Sequence, residues 1–251
     1  MKNRTRYYHS FDDEFEQSKN QDFKLKKDYK WIRTDLFSRL MSVITYTAAF
    51  LFACVYCPLF LHLKIRGRKN LKNVKGGFFI YANHTQPIGD VVIPALCVFP
   101  RRIYTVVSPA NYGIPVIGRL LPYLGALSTL PTADGIKNLS RAIEYRIAHK
   151  NPVVIYPEAR VWEYYTGIRP FTDSSFKFPA KLGAPCFAMT LTYKKSKIFK
   201  RPVTEVYLDG PFYSKAGSVR ESASILHSRV RGAMEYRSES SNCEYIKYIK
   251  I

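Results

Sequence analysis

The chain has 251 residues, of which 47% are hydrophobic and 15% aromatic, so it can bury a large core. Lysine and arginine number 39 against 19 aspartate and glutamate, which gives a formal net charge of +20 at pH 7. Such a charge favours anionic partners: nucleic acids, anionic lipid surfaces or phosphorylated substrates. Most of the charge lies after residue 35, which disfavours a basic disordered arm that binds nucleic acid. The odd number of cysteines, mostly in apolar segments, argues against a disulfide framework.

Residues 1–35 are predicted to form a polar and charged N-terminal arm, without the apolar core of a secretory signal. Residues 36–63 are predicted to anchor the protein to a membrane. No Lys, Arg, Asp or Glu occurs in 41–63, and about 20 apolar residues suffice to span a bilayer.

Basic residues flank the apolar segment on both sides, and positive flanks favour the cytoplasmic side of a membrane. A single crossing would export one of these flanks. We therefore expect the segment to embed from one face, or to turn back at Pro58 as a re-entrant pair. The alternative is a buried core helix of a soluble protein, which the apolar character on all sides of the segment disfavours.

Residues 64–251 are predicted to form an α/β domain with a mostly parallel central sheet flanked by helices. Short runs rich in Val, Ile, Phe and Tyr are typical of strands that are covered on both faces; they are 76–82, 103–107, 152–156, 186–192 and 204–208. Active sites in such folds lie where strands end.

Helices are predicted between these strands. Asp134 is a candidate N-cap for a helix whose apolar positions recur at spacings of three and four, namely Ile136, Leu139, Ile143 and Ile147. Ser218 and Glu221 form a capping-box pattern before a second helix.

His84 follows the first of these strands, and Asp90 lies six positions later. A neutral imidazole can accept a proton from an attacking hydroxyl, and a carboxylate on its other nitrogen fixes the tautomer. The two side chains can meet if the residues between them are non-helical, which Pro87 and Gly89 favour. The spacing fits equally well an Asp90 that caps a helix and an unrelated loop histidine.

Glu158, Arg160 and Arg169 follow the strand 152–156. Arginine is suited to bidentate recognition of phosphate, and a glutamate could orient an arginine, a substrate hydroxyl or the loop. Surface ion pairs are the alternative for each charge. The chain has no Gly-x-Ser-x-Gly elbow and no glycine-rich phosphate loop, so we expect the nucleophile to be a hydroxyl of the substrate.

Three blocks in order resemble the glycerolipid acyltransferase family, whose best-known members are the 1-acylglycerol-3-phosphate O-acyltransferases. They are NHTQPIGD at 83–90, YPEAR at 156–160 and LGAPCFAMTLTY at 182–193, and the resemblance covers roughly residues 36–236. It implies transfer of a fatty acyl group from acyl-CoA or acyl carrier protein to a lysophospholipid hydroxyl. No metal and no further cofactor are implied.

By this resemblance, His84 matches the catalytic histidine of the family and Asp90 its aspartate, while Glu158 matches the glutamate at the acceptor phosphate site. Further predicted substrate contacts are Asn83, Thr85, Arg160 and Arg169. The chain departs from the family pattern: five residues separate His84 and Asp90 instead of four, the usual Pro-Glu-Gly-Thr-Arg is shortened to Pro-Glu-Ala-Arg, and LGALSTLPT lacks an expected arginine. These departures indicate a divergent branch.

The resulting hypothesis is that His84, held by Asp90, deprotonates a lysophospholipid hydroxyl that attacks an acyl thioester. Backbone N–H groups near Gly125 or Pro157 are candidates for stabilising the oxyanion. We expect a membrane-associated protein on the cytoplasmic face, with anionic lipids as partners and no nucleic acid. The alternatives are a non-catalytic basic protein that binds lipid or nucleic acid, and a lipid hydrolase.

Overall fold

The computed structural model describes residues 4–16, 23–25 and 29–251. Parts of the predicted arm, residues 1–3, 17–22 and 26–28, lie outside the described residues. The strands are β1 (Arg4–Tyr8), β2 (Lys64–Arg66), β3 (Phe78–Ala82), β4 (Tyr104–Val107), β5 (Ala126–Ser128), β6 (Pro152–Ile155), β7 (Cys186–Lys194), β8 (Val203–Phe212) and β9 (Ile246–Lys250). The α-helices are α1 (Leu36–Phe60), α2 (Gly89–Val98), α3 (Ile117–Leu124), α4 (Ala133–Ala148), α5 (Lys177–Leu182) and α6 (Val219–Ser238).

The described strands form a seven-stranded sheet in the order β2-β8-β7-β3-β6-β4-β5 and a separate parallel pair of β1 and β9. In the large sheet only the β7–β8 pairing is antiparallel. The predicted fold class, a mostly parallel α/β sheet flanked by helices, is therefore confirmed. The short edge strands β2 and β5 and the β1–β9 pair were not predicted.

Strand β3 lies at the centre of the sheet, and all five of its residues are buried. Side chains alternate between the two faces of a strand. Phe78 and Ile80 accordingly pack with α1 and α2 on one face, whereas Phe79 and Tyr81 pack with α4 and α6 on the other. Because β3 is central and packed on both faces, the polar residues that follow it lie at the carboxyl end of a buried strand.

Helix α1 is one continuous helix through Pro58, and its N-cap Asp35 accepts a hydrogen bond from the Ser38 backbone N–H at 2.8 Å. It is long and apolar enough to cross a membrane. Its buried residues are Ser38, Ala53 and Cys57, so most of its apolar surface is exposed. The re-entrant pair and the buried core helix are therefore both wrong, and insertion into a membrane stays a prediction.

Two helix caps test the sequence patterns. The Ser218 hydroxyl accepts a hydrogen bond from the Glu221 N–H at 3.1 Å, which confirms the predicted cap of α6. Helix α4 is instead capped by Thr132, whose hydroxyl accepts from the Gly135 N–H, so the prediction of Asp134 as the cap was wrong. Ile136 belongs to the predicted apolar stripe but is 59% exposed, because the buried face of α4 runs through Leu139, Ala142 and Ile143.

Candidate functional site

The histidine and the aspartate singled out in the sequence meet at the carboxyl end of β3. The His84 Nδ1 and an Asp90 carboxylate oxygen are 2.7 Å apart. The His84 side chain is 20% exposed, whereas that of Asp90 is 2% exposed. A neutral ring that donates its Nδ1 hydrogen to Asp90 keeps the lone pair on Nε2, so this partly exposed ring can act as a base.

The loop between β3 and α2 creates this contact. The Gln86 N–H donates to the same Asp90 oxygen at 2.9 Å, and the Asp90 N–H donates to the Gln86 carbonyl at 2.8 Å. Asp90 therefore lies in the first turn of α2 while its side chain turns back toward the loop. The segment before Asp90 is non-helical through Ile88, as expected, whereas Gly89 already belongs to α2.

Burial raises the pKa of the Asp90 carboxyl, and the hydrogen bonds from His84 and Gln86 oppose that rise. The second carboxylate oxygen of Asp90 has no hydrogen-bond partner among the residues that the structure describes. A buried carboxylate is costly unless it is paired. Asp90 thus depends on His84 for the stability of its charge, and it favours a positively charged imidazole when the ring takes up a proton.

Tyr156 packs against the ring of His84. Its ring stacks on His84 with centroids 4.4 Å apart, and its hydroxyl donates to the backbone carbonyl of Asp90 at 2.5 Å. It follows β6, the strand next to β3, so the pairing of these two strands places it there. We did not select Tyr156 from the sequence, although a tyrosine that directly precedes the Pro-Glu block was a usable signal.

Glu158 and Arg169 form an ion pair beneath the His84 loop. One Glu158 oxygen accepts from the His84 backbone N–H at 3.1 Å and from the Arg169 guanidinium at 3.0 Å, and the other accepts from the Arg169 backbone N–H at 2.9 Å. Both side chains are at most 1% exposed. The Arg169 guanidinium also donates to the Arg160 carbonyl. This pair joins the loop after β6 to the backbone of His84.

Arg160 points away from that pair. Its side chain is 48% exposed and forms an ion pair with Glu14 of the N-terminal arm. The structure therefore separates the two predicted arginines: Arg169 is enclosed with Glu158, whereas Arg160 is accessible at the rim.

Asn83 and Thr85, which flank His84, are both buried. The Asn83 amide donates to the Leu191 carbonyl at 3.0 Å and its oxygen accepts from the Leu191 N–H at 2.8 Å. The Thr85 hydroxyl lies 2.7 Å from the Tyr193 hydroxyl. Both side chains thus tie the His84 loop to β7.

Gly125 does not lie near His84. Gly125 precedes β5, whereas His84 follows β3. These strands run in the same direction, so Gly125 lies at the amino ends of the strands and His84 at their carboxyl ends. The Gly125 N–H also caps α3 by donating to the Leu121 carbonyl. The suggested oxyanion donor near Gly125 is therefore wrong.

The N-terminal arm covers the loop after β6. Trp162 is fully buried, and its indole N–H donates to the Asp13 carbonyl at 2.9 Å. The aromatic rings that contact it are those of Tyr8, Phe11, Phe15, Tyr165 and Tyr248. The Trp162 backbone N–H donates to the His84 carbonyl at 3.0 Å, so the arm reaches the candidate site through one residue. In the described part of the chain, no group of three His, Cys, Asp or Glu could hold a metal ion.

Comparison with known proteins identifies the family of this chain. A family model described as acyltransferase matches residues 62–192, slightly more than half of the chain. The fold is similar to the solved structure of the 1-acyl-sn-glycerophosphate (LPA) acyltransferase PlsC from Thermotoga maritima, with a TM-score of 0.58 and 14% identity over 85% of this chain and 87% of that one. No curated protein matches the sequence significantly. The family match and the shared fold confirm the resemblance found in the sequence, and the chain belongs to the acyltransferase family.

Proposed function

We propose that this acyltransferase moves a fatty acyl group from an acyl thioester to the hydroxyl of a lysophospholipid such as 1-acylglycerol-3-phosphate. The observation that carries the proposal is the 2.7 Å contact between a partly exposed imidazole and a buried carboxylate at the carboxyl edge of the sheet. Acyl-CoA and acyl carrier protein are the two candidate donors. The acceptor class rests on the resemblance and on the fold shared with PlsC.

In the proposed reaction, the His84 Nε2 takes the proton of the acceptor hydroxyl as its oxygen attacks the thioester carbonyl carbon. Asp90 holds the Nδ1 hydrogen and stabilises the imidazolium that forms. The tetrahedral intermediate collapses as the carbon–sulfur bond breaks, and the leaving thiolate takes the proton from His84. The products are an ester and a free thiol, with the imidazole restored.

Arg160 is the better candidate of the two arginines for the acceptor phosphate. Its guanidinium is accessible, and an exposed ion pair such as that with Glu14 is worth only about 0–1 kcal/mol, so a phosphate can displace it. Arg169 and Glu158 are enclosed together, so we assign them, with Asn83 and Thr85, to positioning the His84 loop rather than to contacting substrate.

We propose that the protein works at the cytoplasmic face of a membrane, where the lysophospholipid acceptor resides. The exposed apolar surface of α1 supports this location. Lys and Arg on the body would attract anionic headgroups, each contributing about 1 kcal/mol near the surface.

The test uses protein purified in detergent, lysophosphatidic acid, and labelled acyl-CoA or acyl carrier protein in separate reactions. We expect His84→Ala to lower the rate of label transfer by roughly 10²–10⁴-fold, since that is the usual contribution of a general base. His149→Ala, at an exposed histidine just after α4, is the matched control. Equal rates for wild type and His84→Ala would overturn the assignment, and acyl release without an acceptor would identify a hydrolase.

A further inference from the structure

A concave site lies at the end of the sheet opposite His84. The first residues of β4 and β5, Tyr104 and Ala126, line a cavity of about 360 Å³. His84 follows the carboxyl end of β3, which runs in the same direction as β4 and β5. The cavity is therefore separate from the candidate active site, and acyl transfer as proposed does not use it.

Five basic residues line this cavity, which we name the basic pocket: Lys30, Arg33, Arg39, Arg102 and Arg146. Among the lining residues that the structure describes there is no Asp or Glu. None of the five forms an ion pair in the described part of the chain. Asp35 lies near Lys30, and its pKa is lowered mainly by hydrogen bonds from Ser38 and least by the charge of Lys30. The described lining of the pocket thus concentrates positive charge and contributes no carboxylate to balance it.

The inner guanidinium groups contact aromatic rings rather than carboxylates, and that of Arg102 also donates to the Ser42 hydroxyl and the Tyr123 carbonyl. The Arg146 guanidinium carbon lies 4.1 Å from the centroid of the Tyr104 ring and that of Arg102 lies 5.3 Å from it, so both cations contact one ring. The Nε atoms of both, and that of Arg33, are buried without a hydrogen-bond partner among the described residues. Burial lowers the pKa of Arg146, and the charge of Arg102 lowers it further. An anion bound in the cavity would relieve the repulsion between these guanidinium groups.

The pocket also adjoins the exposed apolar surface of α1. Ser38, Arg39, Ser42 and Val43 of that helix line it. Leu36, Phe37 and Leu40, in the same turns, are 57–83% exposed. An anion in the pocket therefore has apolar protein surface beside it, which suits a ligand that carries acyl chains as well as a phosphate.

We propose that the basic pocket binds the phosphate of an anionic phospholipid headgroup, with the acyl chains against the first turns of α1. Binding of a phosphate group in the pocket does not depend on the proposed function. The claim that this phosphate belongs to a lipid rests on the membrane association proposed above. Such a site fixes the N-terminal end of α1 at the headgroup level, at a place distinct from the acceptor site beside His84.

The test measures thermal unfolding in neutral detergent as monomeric dihexanoyl phosphatidylglycerol is added. The matched probes are dihexanoyl phosphatidylcholine and inorganic phosphate. We expect phosphatidylglycerol to raise the Tm with concentration, since a ligand that binds only the folded state stabilises it. Arg146→Gln and Arg39→Gln should each raise the half-saturating concentration about tenfold or more, the usual effect of losing a charged hydrogen bond.

Arg141→Gln removes the same charge from an exposed position of α4 and should respond as wild type does. His84→Ala should also respond as wild type, which separates this pocket from the acceptor site. Arg39 is exposed, so its variant keeps the test decisive if Arg146→Gln does not fold. Because the readout is binding, a failure of acyl transfer does not affect it.

The outcomes are distinct. Loss of the response in Arg39→Gln and Arg146→Gln, but not in the controls, supports the site. An equal response to inorganic phosphate overturns the lipid source, and an equal response to phosphatidylcholine overturns the recognition of an anion. Unchanged binding in both pocket variants, or an equal loss in Arg141→Gln, overturns the site.

Discussion

At the scale of single residues, the buried Asp90 carboxylate and the partly exposed His84 ring depend on each other for the stability of their charges. Burial raises the pKa of Asp90, and the bond to His84 opposes that rise. The charge on Asp90 in turn favours the imidazolium that the reaction forms. The buried carboxylate of Asp90 therefore stabilises the imidazolium that forms on His84 during proton transfer.

Substitution of Asp90 by asparagine tests this dependence. The side-chain amide introduced by Asp90→Asn can donate to Nδ1 and so favours the tautomer in which Nε2 carries the hydrogen and cannot accept a proton. We expect kcat to fall by roughly 10²–10⁴-fold with a small change in KM, because Asp90 is buried and touches His84 rather than substrate. Steady-state kinetics with lysophosphatidic acid as acceptor measure both. A change in KM alone would contradict the positioning role.

For Glu158 and Arg169 the prediction concerns the free energy of unfolding, because their ion pair is buried. Glu158→Gln leaves the Arg169 guanidinium buried without its anion, and breaking a buried ion pair from one side costs about 3–5 kcal/mol. The double variant Glu158→Gln/Arg169→Met removes both charges, keeps a side-chain oxygen that can accept a backbone N–H at position 158, and should recover much of that loss. Denaturant unfolding in detergent gives the free energies of unfolding.

The matched control for Glu158 is Glu235→Gln, which breaks the exposed pair with Arg231 and should cost less than about 1 kcal/mol. If Glu158→Gln left stability unchanged and raised only the KM for the acceptor, Glu158 would contact the acceptor phosphate, as the family resemblance implies.

At the scale of elements, the apolar runs predicted the main strands and placed His84 and Glu158 at strand ends. The antiparallel β8 was also accessible, because residues 195–202 are too few for a parallel crossover, which needs about a dozen residues or more. The sequence could not show which of Arg160 and Arg169 is buried with Glu158. Which arginine is buried depends on a loop that turns through positive φ at Ala159 and Tyr164, which are not glycines.

The packing of the N-terminal arm was also beyond the sequence patterns, since β1 pairs with β9 at the far end of the chain. A polar and charged composition gives no sign that Tyr8, Phe11 and Phe15 pack around Trp162. Such contacts join distant segments, and local periodicity carries no information about them.

Trp162→Ala tests whether the arm depends on this cluster. The side chain is fully buried, and truncation of a buried tryptophan costs about 3–5 kcal/mol. We expect a lower Tm and faster tryptic cleavage at Arg4 and Arg6, since the arm loses its main contact. Tyr236→Ala, at a 68% exposed aromatic residue, is the control and should change stability by about 0.5 kcal/mol or less. Cleavage at an unchanged rate would show that β1 is held independently of Trp162.

At the scale of the whole molecule, the proposed membrane association rests on two features: the +20 charge and the exposed apolar surface of α1. They respond differently to salt. At 1 M ionic strength the screening length is about 3 Å, so attraction between exposed charges and anionic headgroups is largely lost. The hydrophobic contribution remains, at about 1.5–3 kcal/mol for each large apolar side chain fully removed from water.

We therefore expect wild-type protein to float with anionic vesicles in both 0.1 M and 1 M salt. The triple variant Leu40→Ser/Ile44→Ser/Leu51→Ser removes three exposed apolar side chains of α1 and should bind only at 0.1 M salt, with partitioning at 1 M weakened on the order of 100-fold or more. Ile136→Ser, at an exposed isoleucine of α4, is the control and should float as wild type does. Release of wild-type protein by 1 M salt would show that charge alone holds it at the surface. In that case α1 would not insert, and lipid substrates would have to leave the bilayer to reach His84.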